Sequence, residues 1–205
     1  DEVTTQNFEE PLFQHSNDAY CGDQSYNLFG DNPALLRTNI KENVKQDGDY
    51  TLSFHYKSSG LNGTAVVMTR LFRYPNQPNQ VLITNNMPLF YMNDTQGEWK
   101  MFNETLDIPA LKTANGIPLS EEVGVRIQLV NYDQNVPILV DDWRFYPSEA
   151  QLTTYTYKPL RGISSVTDAR GETQNFSYDG FSRLIETKDA EGKLLQTTDY
   201  NTIQP

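Results

Sequence analysis

One cysteine, Cys21, stands in a chain of 205 residues. That excludes an intramolecular disulfide and the structural zinc sites that gather several thiolates, and it leaves a lone thiol read as a small buried hydrophobe. Long apolar runs are missing as well, and none approaches the roughly 18 residues that a membrane-spanning helix needs. Basic charge is scarce: 16 Lys and Arg against 27 Asp and Glu give a net charge of −11. Nucleic acid is therefore not expected as a partner, because phosphates are held by clustered Lys and Arg. No charged-then-apolar leader stands before D-E-V-T-T, which leaves secretion open, since such a leader is removed from a mature protein.

Catalytic groupings are equally sparse. His15 and His55 have no acid at a suggestive spacing, and no Ser-His-Asp set can be assembled. Three carboxylate pairs occur, Glu9-Glu10, Glu121-Glu122 and Asp141-Asp142. Neighbouring strand residues point to opposite faces, whereas a glycosidase sets its two carboxyls about 5–10 Å apart across a cleft. Glycine-rich phosphate loops and zinc-ligand spacings are absent. The expectation is a protein that is not an enzyme.

What the chain does contain is strand-forming sequence. It has 12 Tyr and 10 Phe, with many Thr and Val, the residue types that suit a pleated surface. In "GDYTLSFHYKSSG", Tyr50, Leu52, Phe54 and Tyr56 alternate with Thr51, Ser53, His55 and Lys57, the period of a sheet with one buried face. "GTAVVMTRLFRYP", "GEWKMFNETLDIP", "EVGVRIQLVNYD" and "VPILVDDWRFYP" are four further strands. Shorter ones are expected near Phe8–Phe13, Ser25–Phe29 and Val81–Ile83. In the last long strand, unbroken alternation would put Leu139, Asp141, Trp143 and Phe145 on one face. Helical signal is confined to "IPALKTAN" and "SEEVG", each short enough to be a loop turn. Many short antiparallel strands with polar loops give an all-β fold, a β-sandwich over residues 1–150.

Beyond residue 150 the sequence repeats. Asp168 and Asp189, Gly171 and Gly192, and Tyr157 and Tyr178 are each 21 residues apart, and Tyr178 and Tyr200 are 22 apart. Each unit reads as strand, D-x-x-G turn, strand, because Asp can cap a turn and Gly can take positive φ. Periods of this size indicate units that bury their faces on their neighbours, an arrangement that usually takes three or more repeats. Residues 151–205 are therefore read as two units of a longer array.

"YTYKPLRGISSVTDARGETQNFSYDGFSRLIETKDAEGKLLQTTDY" resembles the tyrosine-aspartate (YD) repeats of Rhs-type proteins. The matching positions are Tyr178-Asp179, Arg183-Leu184, Asp189 and Gly192, with Tyr157 and Asp168 in the preceding unit. Ser182 departs from the family, which often has Gly immediately before the Arg-Leu pair. The resemblance implies a large secreted or surface-exposed bacterial polypeptide whose β-repeats form a shell that can enclose a toxin or other cargo. The rest of that polypeptide would be this segment's partner.

The pieces "NFEE", "GDQSYNL", "GDYTLSFHYK", "GEWKMFNETLDIP" and "ILVDDWRFYP", in that order, resemble jelly-roll carbohydrate-binding modules of the galactose-binding-like type. A structural Ca²⁺ is implied by that resemblance, held by Glu9 and one of Asp141 or Asp142, with backbone oxygens near Asn7 and Gly22. Such a set of carboxylates and carbonyls suits a hard cation. A polysaccharide or cell-surface glycan is the implied ligand. Its candidate contacts are His55, Arg126 and Gln128 on the outward face of the sheet, with Tyr74 and Tyr132 on loops overhanging it. Trp99 and Trp143 are read as core. Two functions follow: a non-catalytic glycan-binding module attached to a YD-repeat polypeptide, or a structural cap. A cap would bury its best aromatic face against residues 152–201.

Overall fold

The computed structural model describes residues 4–6, 15–22, 24–29, 34–40, 44, 46–75, 77–158 and 160–200. Thr4–Gln6 (β1), His15–Ser16 (β2), Ser25–Leu28 (β3) and Ala34–Ile40 (β4) come first. Asp49–Ser58 (β5), Ala65–Arg73 (β6), Val81–Ile83 (β7), Leu89–Tyr91 (β8) and Lys100–Asp107 (β9) follow, then the helix Ile108–Ala114 (α1). Val123–Asn131 (β10) and Ile138–Pro147 (β11) complete the sandwich. Thr154–Lys158 (β12), Gly162–Thr167 (β13), Thr173–Tyr178 (β14), Leu184–Asp189 (β15) and Leu194–Thr197 (β16) make the repeat. The expected strand around Phe8–Phe13 lies outside the described residues.

Two antiparallel sheets face each other in a jelly-roll sandwich. The first has the order β2-β3-β11-β5-β9, with β1 also paired to β11; the second has the order β4-β10-β6-β7, with β8 also on β6. The core between them is built by the alternation seen in the sequence. Tyr50, Leu52, Phe54 and Tyr56 point in from β5, and Val125, Ile127 and Leu129 point in from β10. Phe54 stacks on Phe102 and on Trp143, with ring centroids 4.6 and 4.8 Å apart, and Tyr50 stacks on Phe145 at 4.6 Å. Aromatic pairs at such separations add about 0.5–1.5 kcal/mol each beyond the area they bury.

"IPALKTAN" does form a helix. Asp107 caps it, its carboxylate accepting the Ala110 N–H at 2.7 Å, with proline in the first turn. Lys112 on that helix is buried, and its ammonium donates to the carbonyls of Leu119 and Glu121 and to Gln46 Oε1.

Alternation fails at one point in β11. Asp141 pairs with His55 and Arg144 with Ser53, so Asp142 and Trp143 together oppose Phe54. This is a β-bulge, with Asp142 in the left-handed region at φ +54°. The extra residue turns the strand's faces over. Trp143 and Phe145 stay in the core, while Asp141 leaves it for the outer face beside His55. The expected grouping of Leu139 and Asp141 with Trp143 and Phe145 is thus corrected: an uninterrupted period of two was assumed where one residue is inserted. Trp99 is also not core. It is half-buried outside the first sheet, with its indole N–H donated to Asp18 at 3.3 Å.

The repeat is a five-stranded antiparallel meander, β12 to β16 in sequence order. Its turns share one device. The Asp168, Asp179 and Asp189 side chains each accept the backbone N–H four residues on, from Glu172, Arg183 and Lys193. Three residues after each aspartate the chain takes positive φ: +82° at Gly171, +60° at Ser182 and +81° at Gly192. Ser182 therefore occupies a left-handed position for which glycine is the unstrained choice.

Candidate functional site

The two sheets of the sandwich present very different outer faces. On the first sheet, residues that alternation turns outward are nevertheless buried: Ser53, His55, Asp141 and Arg144 are all under 5% exposed. Arg144 explains how a charge is tolerated there. Its guanidinium forks onto Asp142, with Nε 2.8 Å from Oδ1 and Nη2 2.5 Å from Oδ2. Nη1 donates to the Asp168 carbonyl at 2.9 Å, and Nη2 also donates to Thr154 Oγ1 at 3.2 Å. Thr154 and Asp168 belong to the repeat, so one arginine ties the sandwich bulge to the first hairpin of the meander.

A second contact lies alongside. The Tyr20 ring stacks on His55 and its hydroxyl donates to the Gly171 carbonyl at 3.1 Å. Burial pushes the Tyr20 phenol up to about 12, so it remains a donor at physiological pH. Gly171 fits here because it lacks a side chain: a Cβ would sit 2.8 Å from Met101 Sδ. The loop carrying Tyr20 is fastened from below, since Asp141 Oδ2 accepts the N–H groups of Tyr20 and Cys21 at 2.8 and 2.9 Å. Burial raises the Asp141 carboxyl to about 7 against the pull of these donors.

This geometry relocates the residues expected to hold calcium. Asp141 receives N–H groups on both oxygens, the Asp142 N–H occupying Oδ1, and Asp142 receives Arg144. N–H donors and a guanidinium fill the places that a hard cation would need, so neither aspartate as folded fits a Ca²⁺ ligand. Among the described residues no three His, Cys, Asp or Glu side chains converge on a metal position. Gly22 adopts φ +69° beside this network, and Asn7 and Glu9 lie outside the described residues.

The expected glycan contacts do not form one cluster. His55 lies under Tyr20. Tyr74 is held at φ +53° beside Arg73, which is paired with Glu121, at the far end of β6. Tyr132 is exposed just past the end of β10. Arg126 and Gln128 alone fall together, on the open face of the second sheet, with Asn39 and Arg37 as their partners on β4 and Arg70 and Met68 on β6. The Arg126 guanidinium lies 4.7 Å over the Phe72 ring and its Nε donates to Asn39 at 2.7 Å. Arg37, Arg70 and Asn39 were not singled out in the sequence; the signal was there in the polar alternates of the strands, but their juxtaposition needed the register.

The markers of the repeat also acquire roles. Tyr178 reaches back one hairpin, its hydroxyl donating to the Ile163 carbonyl at 2.7 Å. Arg183 pairs with Asp179 at 2.7 Å and lies 4.5 Å over the Tyr200 ring. The Arg183 backbone N–H and guanidinium hold the Asp179 carboxyl below the usual range. Tyr178 thus ties β14 to β13, while Asp179 and Arg183 brace the turn from β14 into β15. Residues 161–194 match the RHS Repeat family. The match spans the Asp turns, Tyr178-Asp179 and Arg183-Leu184, and the matching segment carries Gly171 and Asp168, which meet Tyr20 and Arg144.

No curated protein matches the chain. Among solved structures it is similar to the CBM22-1 xylan-binding domain of Paenibacillus barcinonensis Xyn10C, at 14% identity and a TM-score of 0.40, over 72% of this chain and 86% of that one. It is also similar to the C-terminal family 22 carbohydrate-binding module of Clostridium thermocellum Xyn10B, at 15% identity and a TM-score of 0.38, over 71% and 85%. No helix among the described residues is long and apolar enough to cross a membrane.

Proposed function

We propose that the sandwich is a non-catalytic module that caps an RHS-repeat array in a longer, secreted or surface-exposed bacterial polypeptide. The observation that carries this reading is Arg144, fully buried and bonded at once to Asp142 in the sandwich and to Thr154 and Asp168 in the repeat. A buried guanidinium is favourable only with its partners in place, so the two parts are built to stay joined. Limited trypsin digestion tests this: the repeat should resist cleavage at Arg161 and Arg170 in the native chain and become sensitive in Arg144→Met. Equal digestion of the two proteins would reject the cap.

A second reading concerns the other sheet. The outer face of β4, β6 and β10 lies on the other sheet from the docked repeat, and Arg126 and Gln128 sit there beside the exposed Arg37 and Asn39. Glycan binding at that face is the function we assign to it, since sugars are held by planar polar groups beside apolar surface. Calorimetric titration with a panel of polysaccharides tests the assignment, and absence of heat at millimolar ligand would remove it.

A further inference from the structure

The second sheet has an electrostatic pattern opposite to that of the whole chain. None of its five strands, β4, β6, β7, β8 and β10, carries an aspartate or glutamate, although acidic residues outnumber basic ones 27 to 16 overall. Three arginines instead share its open face. Arg126 on β10 stands directly opposite Arg70 on β6, and the next outward position, Gln128, stands opposite Arg37 on β4. Strands lie about 4.8 Å apart, so the Arg70 and Arg126 side chains leave the sheet as immediate neighbours.

Like charges directly opposite one another destabilise a sheet, and among the described residues no carboxylate pairs with these arginines. Among the described residues, Arg126 bonds only Asn39, while Arg70 bonds the Thr69 carbonyl and Met68 sulfur. Burial and the charges of Arg37 and Arg70 depress the Arg126 pKa, the mark of a cation among cations. A local arrangement that opposes stability without a structural gain points to a ligand. Phe72 beneath the guanidinium and Asn39 at its Nε hold Arg126 in a fixed pose. Met68, Leu89 and the 69%-exposed Tyr91 provide apolar surface along the same side of β6 and β8.

We propose that this arginine row binds an acidic polysaccharide, with sugar carboxylates received by Arg70, Arg126 and Arg37. The inference rests on the glycan reading of the open face and names the class of glycan. Guanidinium forks match carboxylates in geometry, Gln128 and Asn39 offer amides to the hydroxyls, and Tyr91 and Met68 suit the C–H face of a sugar ring. A uronate polymer fits better than a nucleic acid. Its carboxylates alternate with hydroxyls that the Gln128 and Asn39 amides can take, whereas a phosphate backbone is held chiefly by a longer run of Lys and Arg than these three arginines supply.

The test is isothermal titration of the full chain with polygalacturonate, carboxyl-reduced polygalacturonate and a single-stranded oligonucleotide. Polygalacturonate should bind, with affinity falling at least tenfold between low and half-molar salt, and the reduced polymer should not. Arg70→Gln and Arg37→Gln should each weaken binding about tenfold, while Arg70→Gln leaves the melting temperature unchanged or raised because a repulsion has been relieved. Equal binding of the reduced polymer would overturn the acidic class and leave the glycan reading standing; no binding of either polymer would overturn this proposal, while the glycan reading falls only if the wider polysaccharide panel also gives no heat. Tighter binding of the oligonucleotide, or wild-type affinity in both arginine variants, would also overturn the proposal.

Discussion

Tyr20 stacks flat on His55, ring centroids 3.5 Å apart and planes 10° from parallel, and its hydroxyl reaches over to the Gly171 carbonyl. One ring thereby covers the sandwich and holds the repeat. Replacing Tyr20 by Phe removes only the hydrogen bond and should lower stability by about 1 kcal/mol. Tyr20→Ala also removes the stack and should cost about 3 kcal/mol, within the range for losing a large aromatic side chain. Urea denaturation of the three proteins checks both values.

Arg144 should be less tolerant. Arg144→Met strands Asp142 in a buried position and should destabilise by about 3–5 kcal/mol, the range for breaking a buried ion pair from one side. The double variant Asp142→Asn with Arg144→Met removes the stranded charge and should recover a large part of that loss. A double variant no better than Arg144→Met alone would show that the pair itself is not the source of the effect.

The turns offer a matched series. Gly192→Ala meets only backbone strain, at φ +81° with open space around it, and should cost about 1–2 kcal/mol. Gly171→Ala has the same strain and must also displace Met101 at 2.8 Å, adding about 1 kcal/mol or more from overpacking. Ser182→Gly should stabilise by about 0.5–1 kcal/mol, since glycine relieves the +60° backbone there. The order of melting temperatures, with Ser182→Gly above wild type and Gly171→Ala lowest, is the readout.

Much of this architecture was readable from residue order. The alternation of Tyr50 to Tyr56 gave the inner face of β5, and the 21-residue spacing gave the hairpins of the meander. The outer face of β5 was harder to foresee. His55 read as solvent-facing because alternation describes one sheet, while its cover comes from Tyr20 and Gly171, both distant along the chain. The bulge in β11 was equally hidden. Bulges of this kind are often marked by glycine, but Asp142 takes the left-handed conformation with no such signal, held by its pair with Arg144. Trp99 misled because its stretch resembles the structural strands of jelly-roll modules, whereas its N–H is donated to Asp18 outside the sheet.

Asp141 gives the fold a pH dependence of defined sign. Burial raises its carboxyl from the ordinary value of about 4 to about 7, so the folded state holds a proton that the unfolded state has lost. Its contribution is complete below about pH 4 and is lost as the pH rises through 7. The melting temperature should fall between pH 5 and pH 8, and the slope should flatten in Asp141→Asn, whose side chain does not titrate. A melting temperature that climbs over this interval would mean that the N–H donors, rather than burial, control the group.

The joining of sandwich and repeat is the central claim, and both tryptophans, Trp99 and Trp143, lie in the sandwich. Unfolding in urea can therefore be followed by tryptophan fluorescence for the sandwich and by trypsin cleavage at Arg161, Arg170 and Arg183 for the repeat. The expected result is a single shared midpoint in the native chain, with cleavage moving to lower urea than fluorescence in Arg144→Met. Cleavage of the repeat well below the fluorescence midpoint of the native chain would contradict the account.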